Sequence, residues 1–120
     1  MKFVVQRHNA SHLHWDFRLE KDGVLKSWAV PKGLPTSSGV KRLAIPTEDH
    51  DMEWASFEGK IPKGLYGAGE VTMWDQGKYS IISWGEDFIQ INLQGKRYEG
   101  IYDMRKINKD WLIWKSRDIR

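Results

Sequence analysis

Three of the four histidines fall within the run His8-Asn9-Ala10-Ser11-His12-Leu13-His14-Trp15-Asp16-Phe17-Arg18-Leu19-Glu20, which also carries a carboxylate at Asp16 and a guanidinium at Arg18. Leu13, Trp15, Phe17 and Leu19 alternate with His12, His14, Asp16, Arg18 and Glu20, the period-two pattern of a half-buried strand. One face packs and the other meets solvent or a cleft. Same-face neighbours on a strand lie about 6.5–7 Å apart at the backbone, so the side chains of His14 and Asp16 can lean together onto one cation. Arg18, one step along, is placed to hold an anion. Imidazole with carboxylate is the N/O donor set that borderline divalent metals accept; the alternative is an exposed polar strand face that binds no metal. His8 precedes the strand and is expected to reach the site from a turn, which Asn9 and Ser11 favour. His12 is the weakest member of the group and fits a surface loop.

The elements that must position these residues read as short strands joined by tight turns. Lys21-Asp22-Gly23 links the histidine strand to a strand over 24–30, and Asp-Gly between such runs is a strong hairpin signal. Pro31 stops that strand. A loop over 31–39 carries Lys32, a short strand over 42–45 carries Arg42, and Pro46 is expected to close it. Taken singly, Lys32 and Arg42 read as surface charges. Strands over 70–74, 79–84, 88–93 and 98–104 follow, separated by Asp75-Gln76-Gly77, Gly85-Glu86-Asp87 and Gln94-Gly95-Lys96. Ile101, Met104, Ile107, Trp111 and Trp114 recur at helical spacing, but the turn-like Asn108-Lys109-Asp110 and the compact run Trp111-Leu112-Ile113-Trp114 favour a final strand. The fold class is therefore all-β, a compact antiparallel β-barrel or sandwich of about eight short strands in a single domain over 1–120.

His50 lies in Glu48-Asp49-His50-Asp51, where neighbouring carboxylates are expected to favour the imidazolium, the form that pairs with phosphate or protonates a leaving oxygen. The alternative is a loop histidine paired with carboxylates and nothing more. Tyr66-Gly67-Ala68-Gly69 lacks the following Lys-Ser and helix of a phosphate loop, and reads as a tight turn or bulge.

Composition sets limits on the rest. A chain of 120 residues buries about two-thirds of its unfolded surface and folds without staples. Cysteine is absent, which removes disulfides, thiolate nucleophiles and Cys-type zinc sites and fits a reducing cytoplasm. No apolar run has the ~20 residues of a membrane span, and the first residues do not read as a signal peptide. The net charge of +3 does not by itself announce a nucleic-acid binder. Arg105, Lys106, Lys109, Lys115, Arg117 and Arg120 nevertheless face only Asp110 and Asp118, a local excess of four positive charges that could track phosphates or form a solvated tail. Seven tryptophans are expected to be mostly core anchors, with an exposed one serving as a stacking platform for a base.

Several motifs, in order, resemble one family: Phe3-Val4-Val5-Gln6-Arg7-His8, Leu13-His14-Trp15-Asp16-Phe17-Arg18-Leu19-Glu20, Ser27-Trp28-Ala29-Val30-Pro31-Lys32-Gly33, Glu48-Asp49-His50, Phe57-Glu58-Gly59, Ile61-Pro62 and Tyr66-Gly67-Ala68-Gly69. Together they are similar to the 3′-phosphoesterase domain of bacterial DNA ligase D, over roughly residues 3–118. The resemblance implies a compact antiparallel barrel that trims damaged or ribonucleotide-bearing 3′ ends so that a ligase can seal them. It implies that His8, His14 and Asp16 bind a divalent metal, typically manganese. Arg18 and His50 would contact the scissile phosphate, with Lys32 and Arg42 at further basic positions around it; His12 has no counterpart. The implied reactions are hydrolysis of a phosphodiester to release a terminal 3′ ribonucleoside, then hydrolysis of the remaining 3′-phosphate to a hydroxyl. Partners would be DNA or DNA/RNA primer-template ends and a separate ligase and polymerase, in the cytoplasm, for a domain that stands alone without those modules. Two departures bear on the second reaction. Trp54 stands where the family usually has Tyr, and an indole donates but neither accepts nor ionises as a phenol does. The chain also begins almost at the first motif, so the arm that precedes it in ligase D is expected to be missing.

The chemistry of the residues agrees. One cation with Arg18 forms an electrostatic clamp for charge developing on phosphate oxygens, and two His with one Asp leave coordination positions open. Asp16→Ala is then expected to remove turnover with little loss of folding. Two other classes stay open: a non-haem iron oxygenase in which His14, Asp16 and a distant His50 form the metal triad, and a non-catalytic barrel that binds single strands through tryptophans and the basic C-terminus.

Overall fold

Among the described residues nine strands form: β1 (Lys2–Asn9), β2 (Leu13–Lys21), β3 (Val24–Val30), β4 (Lys41–His50), β5 (Gly59–Ile61), β6 (Gly69–Trp84), β7 (Phe88–Gln94), β8 (Glu99–Ile107) and β9 (Asp110–Lys115), with a 3₁₀ turn at Met52–Ser56. The computed structural model describes residues 1–117; Asp118 and Arg120 of the basic segment lie outside the described residues. The sheet runs β1-β2-β3-β4-β9-β8-β7-β6, and β6 returns to pair with β1. Eight antiparallel strands therefore close a barrel, and β5 adds to the start of β6. The all-β antiparallel barrel read from the strand spacing is the observed fold. Among the described residues no helix is long and apolar enough to cross a membrane.

Alternation along each strand sends one set of side chains inward. Phe3, Val5, Phe17, Leu19, Trp28, Val30, Ile89, Ile91, Leu93, Tyr102, Met104 and Ile113 fill the barrel, and burial of this apolar surface is the main force holding it closed. Turn chemistry sets the register. Asp22 (φ 56°) and Gly23 (φ 82°) are both left-handed, as a two-residue turn matched to strand twist requires. Asn108 (φ 54°) turns β8 into β9, so the spacing of apolar residues over 101–114 belongs to two strands and a turn, as favoured.

Three local expectations are corrected. His8 does not reach out from a turn: it lies in β1, paired with His14 across from it. Pro46 does not end its strand. β4 continues to His50, because its pairing with β9 stops at Ala44, and beyond that point β4 is an edge on which a residue without N–H is tolerated. The continuation carries Thr47 and His50 alongside Ser27 and Leu25 of β3. Nor is Asp75-Gln76-Gly77 a turn; it lies within the uninterrupted β6. Gly77 is needed for close approach, since a Cβ there would lie 2.1 Å from the Gln94 carbonyl.

Asp75 is buried, and its carboxylate accepts the backbone N–H groups of Lys96 (3.0 Å), Arg97 (3.0 Å) and Tyr98 (2.9 Å), fastening the β7–β8 turn to β6. Asp75→Ala leaves those donors without an acceptor and is expected to cost about 2–4 kcal/mol, read as a lower urea midpoint. A loss below about 0.5 kcal/mol, the range of ordinary surface substitutions, would contradict this role.

Candidate metal centre

The histidine strand sits in the middle of a three-strand wall. Facing away from the barrel interior are Gln6 and His8 of β1, His14, Asp16 and Arg18 of β2, and Ser27 of β3; the register sets His8 opposite His14, Gln6 opposite Asp16 and Arg18 opposite Ser27. Of the two expected settings, solvent or a cleft, this face meets a cleft: Asp16 and Arg18 are only 7% and 6% exposed yet line a cavity. The cover is the 3₁₀ turn and the segment that follows it. Val4, Leu25 and Ala55 form a second apolar cluster with Met52, Trp54 and Met73. Gln6, wholly buried, donates from Nε2 to the carbonyls of Trp54 (2.8 Å) and Phe57 (3.1 Å). Beneath the cover lies a cavity of about 320 Å³ whose lining includes His8, His14, Asp16, Arg18, Thr47, His50, Trp54 and Tyr66.

One ligand atom from each of His8, His14 and Asp16 lies within 4.8 Å of the other two. His8 Nε2–H donates to the Gly67 carbonyl (2.7 Å), which turns Nδ1 toward Asp16 Oδ2 at 3.3 Å. His14 Nδ1–H donates to the His12 carbonyl (3.0 Å), which turns Nε2 toward Asp16 Oδ1 at 3.2 Å. Each imidazole thus has one nitrogen fixed by a backbone carbonyl and the other aimed at a shared carboxylate, the arrangement that orients metal-ligating histidines. The donor set fits a divalent cation with coordination positions to spare. His12 contributes its carbonyl and not its exposed ring.

Arg18 is held on every side. Its Nε donates to Gln6 Oε1 (2.7 Å), Nη1 donates to Ser27 Oγ (2.9 Å), and Nη2 lies 3.6 Å from Asp16 Oδ2. Burial pushes the Asp16 carboxyl up, but the hydrogen bond from His14 and the charges of Arg18, His14 and His8 outweigh it and hold the group below its ordinary value. The same hydrogen bond raises His14 against the opposing effect of burial. Burial lowers Arg18, and Asp16 opposes. Gln6 and Ser27 had no signal of their own in the sequence beyond a polar residue on a strand face.

His50 departs from expectation. Burial and the Arg18 guanidinium hold it below its ordinary value, and Glu48 and Asp16 do not reverse this. Asp49 is paired with Lys26 (2.9 Å) rather than with the ring, while His50 Nδ1 sits 3.1 Å from Arg18 Nη1 and 2.8 Å from the Glu48 carbonyl. Neutral imidazole is favoured, not the imidazolium. Trp54 stacks edge-on to His50 at 5.5 Å and packs on Phe57 at 4.6 Å. Lys32 and Arg42 do not line the cavity: Lys32 is exposed, and Arg42 Nη1 donates to the carbonyls of Lys32 (2.5 Å) and Gly33 (3.0 Å). Tyr66-Gly67-Ala68-Gly69 is the tight turn anticipated, with Gly67 at φ 77°; at Gly69 a Cβ would lie 2.3 Å from the Asn9 carbonyl. None of the seven tryptophans is exposed.

Fold and site together define a small closed β-barrel with a His-His-Asp cluster, of a geometry that fits a cation, backed by a buried arginine. Residues 6–106 match the DNA ligase D 3′-phosphoesterase domain, and the chain belongs to that family. It is 51% identical over 121 residues to the multifunctional non-homologous end joining DNA repair protein LigD of Mycobacterium tuberculosis, covering 97% of this chain and 16% of that protein. The corresponding proteins of Mycolicibacterium smegmatis and Pseudomonas aeruginosa are 44% and 41% identical, each over 98% of this chain and over 17% and 15% of theirs. The chain thus spans only 15–17% of the length of these curated relatives.

The two histidine shifts run in opposite directions. In the metal-free protein, His14 is expected to titrate above 6.5 and His50 below it, as read from imidazole proton shifts by NMR. For His14 the raised value means that its pairing with Asp16 stabilises the fold fully below pH 6.5 and that this contribution is lost as pH rises through the folded pKa. The depressed Asp16 value acts at the other end, stabilising above 3.8 and failing as pH falls through the folded pKa. The reverse order of the two histidines would contradict the geometry.

Proposed function

We propose that this chain hydrolyses phosphate esters at the 3′ ends of nucleic-acid strands with a divalent cation, manganese being the ion expected of the family. The observation that carries the reading is the convergence of His8, His14 and Asp16 within 4.8 Å, in one cavity with Arg18 and His50. The three residues would hold the ion, which when bound supplies Lewis-acid polarisation of a phosphoryl oxygen and activation of water near neutral pH. Arg18 meets the charge that gathers on the nonbridging oxygens. Its fork is fixed in advance by Gln6 and Ser27, so little reorganisation accompanies the reaction. Nδ1 of His50 sits between the Glu48 carbonyl (2.8 Å) and Arg18 Nη1 (3.1 Å), which leaves Nε2 as the ring nitrogen that meets the phosphate. Arg42 holds the loop that carries Lys32, and because Lys32 does not line the cavity its proposed role is with the flanking strand and not the scissile group.

In the first reaction the oxygen of water bonds to phosphorus, the bond to O5′ of a terminal ribonucleoside breaks, and the proton goes to that leaving oxygen. A 3′-phosphate remains. In the second, water attacks the same phosphorus, the bond to O3′ breaks, and a 3′-hydroxyl and inorganic phosphate result. The substrates are DNA or DNA/RNA primer-template ends. The names of the relatives place those proteins in non-homologous end joining, which supports a role for this chain in preparing ends, in the cytoplasm, for a ligase and polymerase. The oxygenase alternative required His50 among the ligands; its Nδ1 faces Arg18 and the Glu48 carbonyl, and His8 takes the third position instead.

The test is a 5′-labelled primer-template ending in one ribonucleotide, incubated with manganese, with and without chelator. Asp16→Ala is not the variant to use, contrary to the expectation from a solvated strand face. It strands the Arg18 charge in a buried site, a loss of about 3–5 kcal/mol. Asp16→Asn keeps the volume and an amide oxygen that can accept from Arg18, Arg18→Lys keeps a positive charge beside Asp16, and each is expected to lower the rate by about 10²-fold or more. Turnover indifferent to chelator and to Asp16→Asn would remove the metal centre from the reaction. Trp54→Tyr is expected to speed the second step relative to the first by about tenfold, the worth of one hydrogen bond to a charged group; an unchanged ratio of the two rates would show that this position does not limit it.

A further inference from the structure

A site for nucleic-acid ends needs something to receive a base, and every tryptophan is at least partly buried. Among the described residues the most exposed large apolar side chain is Tyr66, 93% exposed, beside Leu65 at 60%. Tyr66 nevertheless lines the cavity that holds His8, Arg18 and His50. Its position is set by its neighbours. The Gly67 carbonyl accepts from His8 Nε2–H at 2.7 Å, and two consecutive turns, Leu65 N–H to the Pro62 carbonyl (3.2 Å) and Ala68 N–H to the Leu65 carbonyl (3.1 Å), brace the segment. The ring therefore stands at the rim of the phosphate cavity, one residue from a contact to a cation ligand, and buries almost nothing against the fold. Lys60 and Lys63, both exposed on the same segment, carry the charge that follows a phosphate backbone.

We propose that Tyr66 is the stacking platform of a nucleobase subsite, with Leu65 at its edge, which takes a base flanking the scissile phosphate. The proposal rests on the phosphoesterase reading and adds how a strand end is held. Stacking is tolerant of sequence because every base has a π-face, which suits a site that must accept ends of any sequence. The phenol hydroxyl has no part in it, so a phenyl ring serves equally.

The test uses the full chain and a primer-template carrying 2-aminopurine at the 3′-terminal position or the one before it, in metal-free buffer so that the strand stays intact. Wild type and Tyr66→Phe are expected to quench the fluorescence on binding. Tyr66→Ala and Tyr66→Leu are expected to lose the quench and to bind about 10-fold or more weakly. In manganese, an abasic sugar at the same position should raise KM for wild type, with no further rise in Tyr66→Ala. Quench and affinity unaltered in Tyr66→Ala at both positions would overturn the subsite, as would an equal KM penalty from Tyr66→Ala on abasic and base-bearing strands, the sign of a role that does not involve the base. Hydrolysis that persists without a Tyr66-dependent quench sinks the subsite alone, whereas a Tyr66-dependent quench without hydrolysis sinks the phosphoesterase reading alone.

Discussion

A carboxylate that is 7% exposed and yet ionised is the constraint around which this protein is built. Removing Asp16 from water favours its neutral form, and only the ring of cations and donors at 3.2–3.6 Å, His14, His8 and Arg18, reverses that preference. The dependence is mutual. Arg18 tolerates burial because Asp16 lies beside it, and both imidazoles are aimed because the carboxylate and two backbone carbonyls fix them from opposite ends. The cation proposed for this cluster would take over the charge that the protons of His14 now balance.

The barrel serves this cluster through register. Adjacent strands must place His8 opposite His14 and Arg18 opposite Ser27, and slippage by one residue would turn the whole set into the apolar interior. Closure of β6 onto β1 fixes one side of the wall and the run of β4 past Pro46 fixes the other. Gln6 then joins wall to cover, since its oxygen accepts from Arg18 while its nitrogen donates to the carbonyls that end the 3₁₀ turn. One buried amide thereby couples the orientation of the guanidinium to the seating of Trp54.

The alternation over 13–19 was legible because half of β2 faces a wholly apolar core, and the Asp-Gly and Asn-centred turns were legible because left-handed backbone demands those residues. β1 was not read as a strand. Its run Phe3-Val4-Val5 is buried on both faces, inside the barrel and under the cover, which erases the period-two signal. The same two-sided burial hid the depth of Asp16 and Arg18. Asp75-Gln76-Gly77 has the composition of a turn but serves long-range contacts, an acceptor for the next hairpin and a gap for the Gln94 carbonyl, neither of which leaves a local trace. The charges beside His50 misled for a related reason: sequence neighbours on a strand point to opposite faces, and its protonation is set by burial and by Arg18, 32 positions away. The family resemblance supplied what spacing could not, the grouping of His8 with His14 and Asp16 that the structure shows.

The central claim is that one cation is gripped by His8, His14 and Asp16 with its free side toward the cavity. Manganese added in substoichiometric amounts, followed by NMR, reports this most directly, because the paramagnetic ion broadens the nuclei nearest to it. The account predicts that the ring signals of His8 and His14 vanish first and together, those of His50 later, and those of His12 last. Broadening of His50 in step with His14 while His8 stays sharp, or no selective broadening at all, would contradict it.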